Sequence, residues 1–158
     1  MFYSEYYPVD FINGEGLRCT LFVSGCSHGC KGCYNEKTWH PKFGQEYTKE
    51  LEDQIILDLK NEVQVRQGLS ISGGDPMYKG NVESILSLVK RVRTECPTKD
   101  IWMWTGFTKE ELEKDGLRSP ILEYIDVLVD GRFDESLRDL SLKFRGSSNQ
   151  RIHYLRLG

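Results

Sequence analysis

No apolar run in this 158-residue sequence approaches the ~20 residues that would span a bilayer. The N-terminal stretch MFYSEYYPVDFING has neither a basic leader nor an apolar centre, so no secretory signal is read there and a cytoplasmic location is expected. Clusters of Lys and Arg are missing, and the net charge is -3 at pH 7. A phosphate-binding footprint is therefore not expected, nor is a general attraction to nucleic acid. There is no internal repeat, low-complexity tract or long linker. With 39% hydrophobic and 28% charged residues, the chain is expected to form one globular domain over 1–158. Cysteines number five, an odd count that does not suit a disulfide framework in a reducing compartment.

What is present alternates short apolar strands with amphipathic helices. LRCTLFVS (17–24) reads as a strand. Leu51, Ile55, Ile56, Leu59 and Val63 fall on one face of a helix over 48–65, with Thr48 as its N-cap. GLSISG (68–73) reads as a strand entering a glycine turn. A second helix over 81–95 carries Val82, Ile85, Leu86, Val89 and Val92 and stops before Pro97. DIWMWT (100–105) is a third strand. Thr108 and Glu111 form a capping box for a helix over 109–116, and YIDVLVD (124–130) is a fourth strand. This order predicts right-handed crossovers and a parallel sheet. Eight βα units need ~250 residues. The expectation is therefore an α/β fold, a short incomplete (β/α) barrel or open sheet that is curved and mostly parallel. Ligands then gather beyond the carboxyl ends of the strands. The unusual clusters fall on that rim: the cysteine loop, Gly73-Gly74-Asp75-Pro76, Thr105-Gly106 and Asp130-Gly131.

Residues 24–35 read SGCSHGCKGCYN, with Cys26, Cys30 and Cys33 each preceded by a glycine. A closed zinc site wants four ligands, usually as two separated pairs, with His28 or His40 as the missing one. A redox dithiol could use Cys30 and Cys33, leaving Cys26 idle. An iron–sulfur cluster fits better, because thiolates are its preferred ligands and small residues let backbone amides approach the sulfurs. Three protein ligands on four irons leave one iron for a substrate. Cys19 in LRCTLFV and Cys96 before Pro97 read as small buried hydrophobes. His28 reads as a loop residue, His40 and His153 show no partner spacing, and Trp102 and Trp104 read as core.

Cys26-x3-Cys30-x2-Cys33 followed by Tyr34 resembles the signature of the radical S-adenosylmethionine enzymes. Other stretches resemble the activating enzymes of glycyl-radical proteins over essentially the whole chain: Asn13-Gly14-Glu15-Gly16-Leu17-Arg18, Gly73-Gly74-Asp75-Pro76, Trp102-x-Trp104-Thr105-Gly106, Asp130-Gly131 and RGSSNQR (145–151). Glu15 departs from the proline usual in that turn, which bears on its rigidity and on no ligand. The resemblance implies a [4Fe-4S] cluster on Cys26, Cys30 and Cys33, with S-adenosylmethionine on the fourth iron. Reductive cleavage would give a 5′-deoxyadenosyl radical that abstracts a glycine Cα hydrogen; no catalytic side chain is implied beyond cluster and cofactor. It places an adenine contact at Gly32, Cys33 and Tyr34 and a methionine cradle at Gly73, Gly74 and Asp75. Thr105 would reach the methionine carboxylate or ribose, and Asp130 a ribose hydroxyl. The implied partners are the large subunit of the anaerobic ribonucleoside-triphosphate reductase and reduced flavodoxin or a similar electron donor. The alternatives are another glycyl-radical target such as pyruvate formate-lyase, or a zinc- or cluster-binding module without turnover.

Overall fold

Apolar alternation in the strands sorts side chains onto two faces, and the sheet is built around that division. The computed structural model describes residues 1–33 and 35–156. Its strands are β1 (Phe2–Asp10), β2 (Arg18–Val23), β3 (Gln45–Glu46), β4 (Gly68–Gly73), β5 (Asp100–Trp104), β6 (Val127–Asp130) and β7 (Arg151–Tyr154). They form one sheet in the order β3-β1-β2-β4-β5-β6-β7. The inner strands β2, β4, β5 and β6 pair in parallel, with Arg18 opposite Gly68, Gly68 opposite Asp100 and Trp102 opposite Val127. β1 and β7 run against their neighbours, so five of the seven strands share a direction. The ends β3 and β7 do not meet, which makes this an incomplete barrel.

One face carries Cys19, Leu21, Val23, Leu69, Ile71, Ile101, Met103 and Leu128, all buried. Against it pack α1 (Lys49–Lys60) through Ile55, Ile56 and Leu59, and α2 (Val82–Glu95) through Ile85, Leu88, Val89 and Val92. Alternation sends the neighbouring residues to the other face. There lie Arg18, Thr20, Ser70, Ser72, Trp102, Val127 and Val129, polar for the most part but also buried. Arg18 is fully buried and donates to Ser70 Oγ at 2.6 Å, Asp100 Oδ1 at 2.6 Å and the Leu69 carbonyl at 3.1 Å. Its guanidinium lies 5.6 Å from the Trp102 ring. The helices thus cover one face, and the other buries a paired polar network.

The expected elements appear with three differences. α1 stops at Lys60, because the Asn61 side chain accepts from the Val63 and Gln64 amides, both at 2.9 Å, and turns the chain out of the helix. Val63 is consequently 97% exposed. The third helix is shortened to α3 (Lys109–Glu113), with its capping box, because Asp115 accepts from the Leu117 amide and turns the chain; a further short helix, α4 (Ser119–Leu122), follows outside the expected span. On α2 the buried position is Leu88, and Leu86 is only partly covered. β1, β3 and β7 were not anticipated. β1 mixes aromatics with polar residues, and Pro8 falls where its register with β2 shifts.

Candidate metal centre

Four strand ends converge on one cavity of about 380 Å³, within the ~300–1,000 Å³ usual for small-molecule sites. Cys26, His28, Cys30 and Cys33 line it from the loop after β2, Ser72, Gly73 and Gly74 from the end of β4. Trp104, Thr105 and Gly106 line it from β5, Val129 and Gly131 from β6. The segment before β7 closes another side with Phe144, Arg145, Gly146 and Gln150, and Ile12 and Asn13 enter from the turn after β1. The rim expected from the order of elements is therefore the wall of a single site.

The cysteine loop is held by its ends. The Gly25 amide donates to the Thr38 carbonyl at 2.6 Å, and the Cys26 amide to the Trp39 carbonyl at 3.1 Å. Gly25, Gly29 and Gly32 have φ values of 104°, 62° and 77°, the left-handed region that glycine enters without strain. At the end of the loop the Asn35 N–H lies 3.4 Å from Cys33 Sγ. Burial pushes the Cys26 thiol up to about 11; the nearby Asp75 charge adds to this and the His28 amide opposes it. Burial also raises Cys30, against the Phe133 amide. Metal loading must displace these protons. Three half-buried free thiols, all facing one cavity, fit an iron–sulfur cluster. Cys19 and Cys96 lie at 0% and 4% exposure in the helix-covered core, away from that cavity.

Of the other residues singled out in the sequence, Gly73, Gly74 and Thr105 reach the cavity. Gly74 packs so tightly that a Cβ there would lie 2.7 Å from the carbonyl oxygens of both Gly25 and Thr38. Asp75 sits behind the wall at 1% exposure. Its Oδ1 accepts from the Met77 amide at 2.8 Å, and its Oδ2 faces His28 Nε2 at 2.6 Å, Thr105 Oγ1 at 3.1 Å and the Gly106 amide at 3.0 Å. Asp130 is also fully buried, accepting from the Lys109 amide at 2.7 Å and Arg151 Nη2 at 2.7 Å. Gly32 is exposed beside Glu135. Tyr34 lies outside the described residues.

Sequence reasoning missed several contributors. Trp104, grouped with Trp102 as core, ends β5 and lines the cavity, donating from Nε1 to the Phe144 carbonyl at 2.6 Å. Its place at a strand's last residue was the available signal. In RGSSNQR, Gln150 Oε1 accepts from the Gly146 amide at 2.9 Å and its Nε2 donates to the Gly131 carbonyl at 3.0 Å, folding the segment onto the exit of β6. His153 lies 3.1 Å from Asp130 across the β6–β7 pair, a neighbour that spacing did not reveal.

The model of the family described as a 4Fe-4S single cluster domain matches residues 12–153. The anaerobic ribonucleoside-triphosphate reductase-activating protein of Vibrio cholerae is 58% identical over 153 residues, 97% of each chain. That of Escherichia coli K12 is 56% identical over 156 residues, 99% of this chain and all of the relative. That of Enterobacteria phage T4 is 42% identical over 152 residues, 96% of this chain and 93% of the relative. Matches of this extent, on a chain whose three cavity-facing thiols suit such a cluster, mean that it belongs to the family of anaerobic ribonucleoside-triphosphate reductase-activating proteins and carries a 4Fe-4S single cluster domain.

Proposed function

We propose that this chain, as one radical S-adenosylmethionine domain over 1–158, installs a glycyl radical on the large subunit of an anaerobic ribonucleoside-triphosphate reductase. One observation carries the reading: three thiols, and only three of the five in the chain, share a cavity with the Gly73–Gly74 turn. A [4Fe-4S] cluster on Cys26, Cys30 and Cys33, with S-adenosylmethionine on its open iron, supplies reductive cleavage to a 5′-deoxyadenosyl radical. The protein's own part is to position and to exclude water. In this reading the Gly73 and Gly74 backbone offers carbonyls to the methionine ammonium, Thr105 serves the methionine carboxylate or ribose, and Gly32, Cys33 and Tyr34 would meet the adenine. Apolar walls from Trp104, Val129, Phe133 and Phe144 keep an unselective radical from water and side reactions.

The names of the relatives favour the reductase over pyruvate formate-lyase as target. The reading has the chain work in the cytoplasm beside a donor such as reduced flavodoxin; no helix among the described residues is long and apolar enough to cross a membrane. Anaerobic reconstitution tests the reading. Iron and sulfide should each reach about four per chain, the stoichiometry of such a cluster. Dithionite with S-adenosylmethionine should yield 5′-deoxyadenosine, and adding the reductase should produce a glycyl-radical doublet in electron paramagnetic resonance. Stoichiometric zinc without cleavage would overturn it.

A further inference from the structure

His28 stands between two of the proposed cluster ligands, yet its side chain is only 4% exposed. Its Nε2 lies 2.6 Å from Asp75 Oδ2. That oxygen's other partners, Thr105 Oγ1 at 3.1 Å and the Gly106 amide at 3.0 Å, are both donors, so Nε2 carries hydrogen and donates as well. Donors from the loops after β2 and β5 therefore meet on one oxygen from the loop after β4. The imidazole is also held by its surroundings. Phe107 meets it edge-on at 4.7 Å, and the Arg118 guanidinium lies 4.5 Å from the Phe107 ring. Arg118 Nε in turn donates to the Met77 carbonyl at 2.6 Å. On its other side the ring lies against Gly106, where an added Cβ would come within 2.4 Å of His28 Cδ2. The backbone repeats the connection, since the Asp75 amide donates to the Gly25 carbonyl at 2.7 Å, one residue before Cys26.

We infer that His28 is a positioning residue: by donating to Asp75 it fixes the cysteine loop relative to the Gly73–Gly74 turn, and so sets the span that a ligand bridging cluster and turn must fit. This rests on the function proposed above and gives it a structural requirement. Asp75 then acts on the cofactor through its neighbours, with the Gly73–Gly74 backbone making the contact. The sensitivity should be high, because a misplacement of about 1 Å can cost up to ~100-fold in an organised site.

Three variants test this in reconstituted protein. His28→Leu fills the space without a donor, His28→Gln keeps an N–H close to the position of Nε2, and Gly106→Ala displaces the ring without removing any polar group. The readouts are iron content, the S-adenosylmethionine dissociation constant by equilibrium dialysis, and the change that this ligand makes in the electron paramagnetic resonance of the reduced cluster. His28→Leu and Gly106→Ala should keep most of their iron but bind S-adenosylmethionine at least about tenfold more weakly, with a diminished spectral change. KM should rise in step, and His28→Gln should return to within about threefold of the parent protein. The inference is overturned if His28→Leu and Gly106→Ala bind as the parent does, if His28→Gln is as impaired as His28→Leu, or if all three lose iron together. Amide exchange in residues 25–33 of the metal-free protein adds a readout independent of any cofactor. It should quicken in His28→Leu and Gly106→Ala, and unchanged exchange would equally overturn the inference. Parent protein that takes up iron but never binds S-adenosylmethionine would instead defeat the functional proposal and leave the exchange test standing.

Discussion

Asp130 can serve a ligand or the fold, and Asp130→Asn separates the two. The carboxylate is fully buried at the end of β6. Burial alone would raise its pKa, but Arg151, the Lys109 amide and His153 together outweigh this and hold it below the usual carboxylate range. Asparagine keeps one acceptor oxygen and loses the charge. A hydrogen bond to a charged group contributes ~1.5–3 kcal/mol, and Arg151 is nearly half exposed and also pairs with Glu110, so ~2 kcal/mol is the expected loss. At ~2–4 °C per kcal/mol for a chain of this size, the metal-free protein should melt ~4–8 °C lower at neutral pH. The sign with pH follows from the depressed pKa. The stabilisation is complete above the unfolded carboxyl's pKa of about 3.9 and disappears as pH falls through the lower folded value. Urea unfolding of both proteins between about pH 7 and pH 3.5 should therefore show a gap that narrows at the acid end. S-adenosylmethionine affinity should change by less than about threefold, since the side chain lies behind the cavity wall. A gap under about 0.5 kcal/mol, the range of ordinary surface substitutions, combined with lost ligand binding, would refute the structural role.

Two further outcomes follow from the geometry. Alanine at Cys26, Cys30 or Cys33 should abolish both the visible absorption of the reconstituted cluster and cleavage, whereas Cys19→Ala and Cys96→Ala, in the helix-covered core, should keep four-iron loading; turnover retained in Cys30→Ala would overturn the ligand set. Gly74→Ala brings a methyl carbon to 2.7 Å from two backbone oxygens that also position Cys26. It should cost ~1–3 kcal/mol in thermal stability and reduce iron uptake, and an unchanged melt with full iron would count against the tight contact.

The helix-packed half of the fold was legible because its side chains obey simple periods. Leu69 and Ile71 alternate with Ser70 and Ser72 along β4, and Ile55, Ile56 and Leu59 repeat at helical spacing against that face. The ends of the sheet were not. β1 buries little and alternates aromatics with Ser and Glu, and β7 has only four residues, half of them exposed. Their pairing depends on partners far along the chain, which local patterns do not encode. Around the cavity, the convergence of Cys26, Cys30 and Cys33 with the Gly73–Gly74 turn was legible because the cysteine spacing and the strand-end glycines both follow from the order of elements. The tie between His28 and Asp75 was not, because 47 residues separate them and each has a common alternative reading, one as a loop residue and the other as a turn aspartate.

The same division between faces explains how a short chain can hold a reactive site. The helix-covered face contributes the continuous apolar core, and the opposite face can be polar because its buried groups pair with one another: Arg18 with Ser70 and Asp100, Thr20 with Asp10, Asp75 with four donors. An unpaired polar group in such a place would cost ~1–3 kcal/mol, more if charged. Arg145 Nε is a buried donor without a partner, on a residue that lines the cavity. Its segment, and not the helices, borders the cavity that a ligand would fill. A filled site should therefore stabilise the segment around Arg145 more than the helices behind the sheet. Amide exchange with and without S-adenosylmethionine would measure this, with protection gained at residues 144–150 as the expected result and protection spread evenly over α1 and α2 as the contrary one.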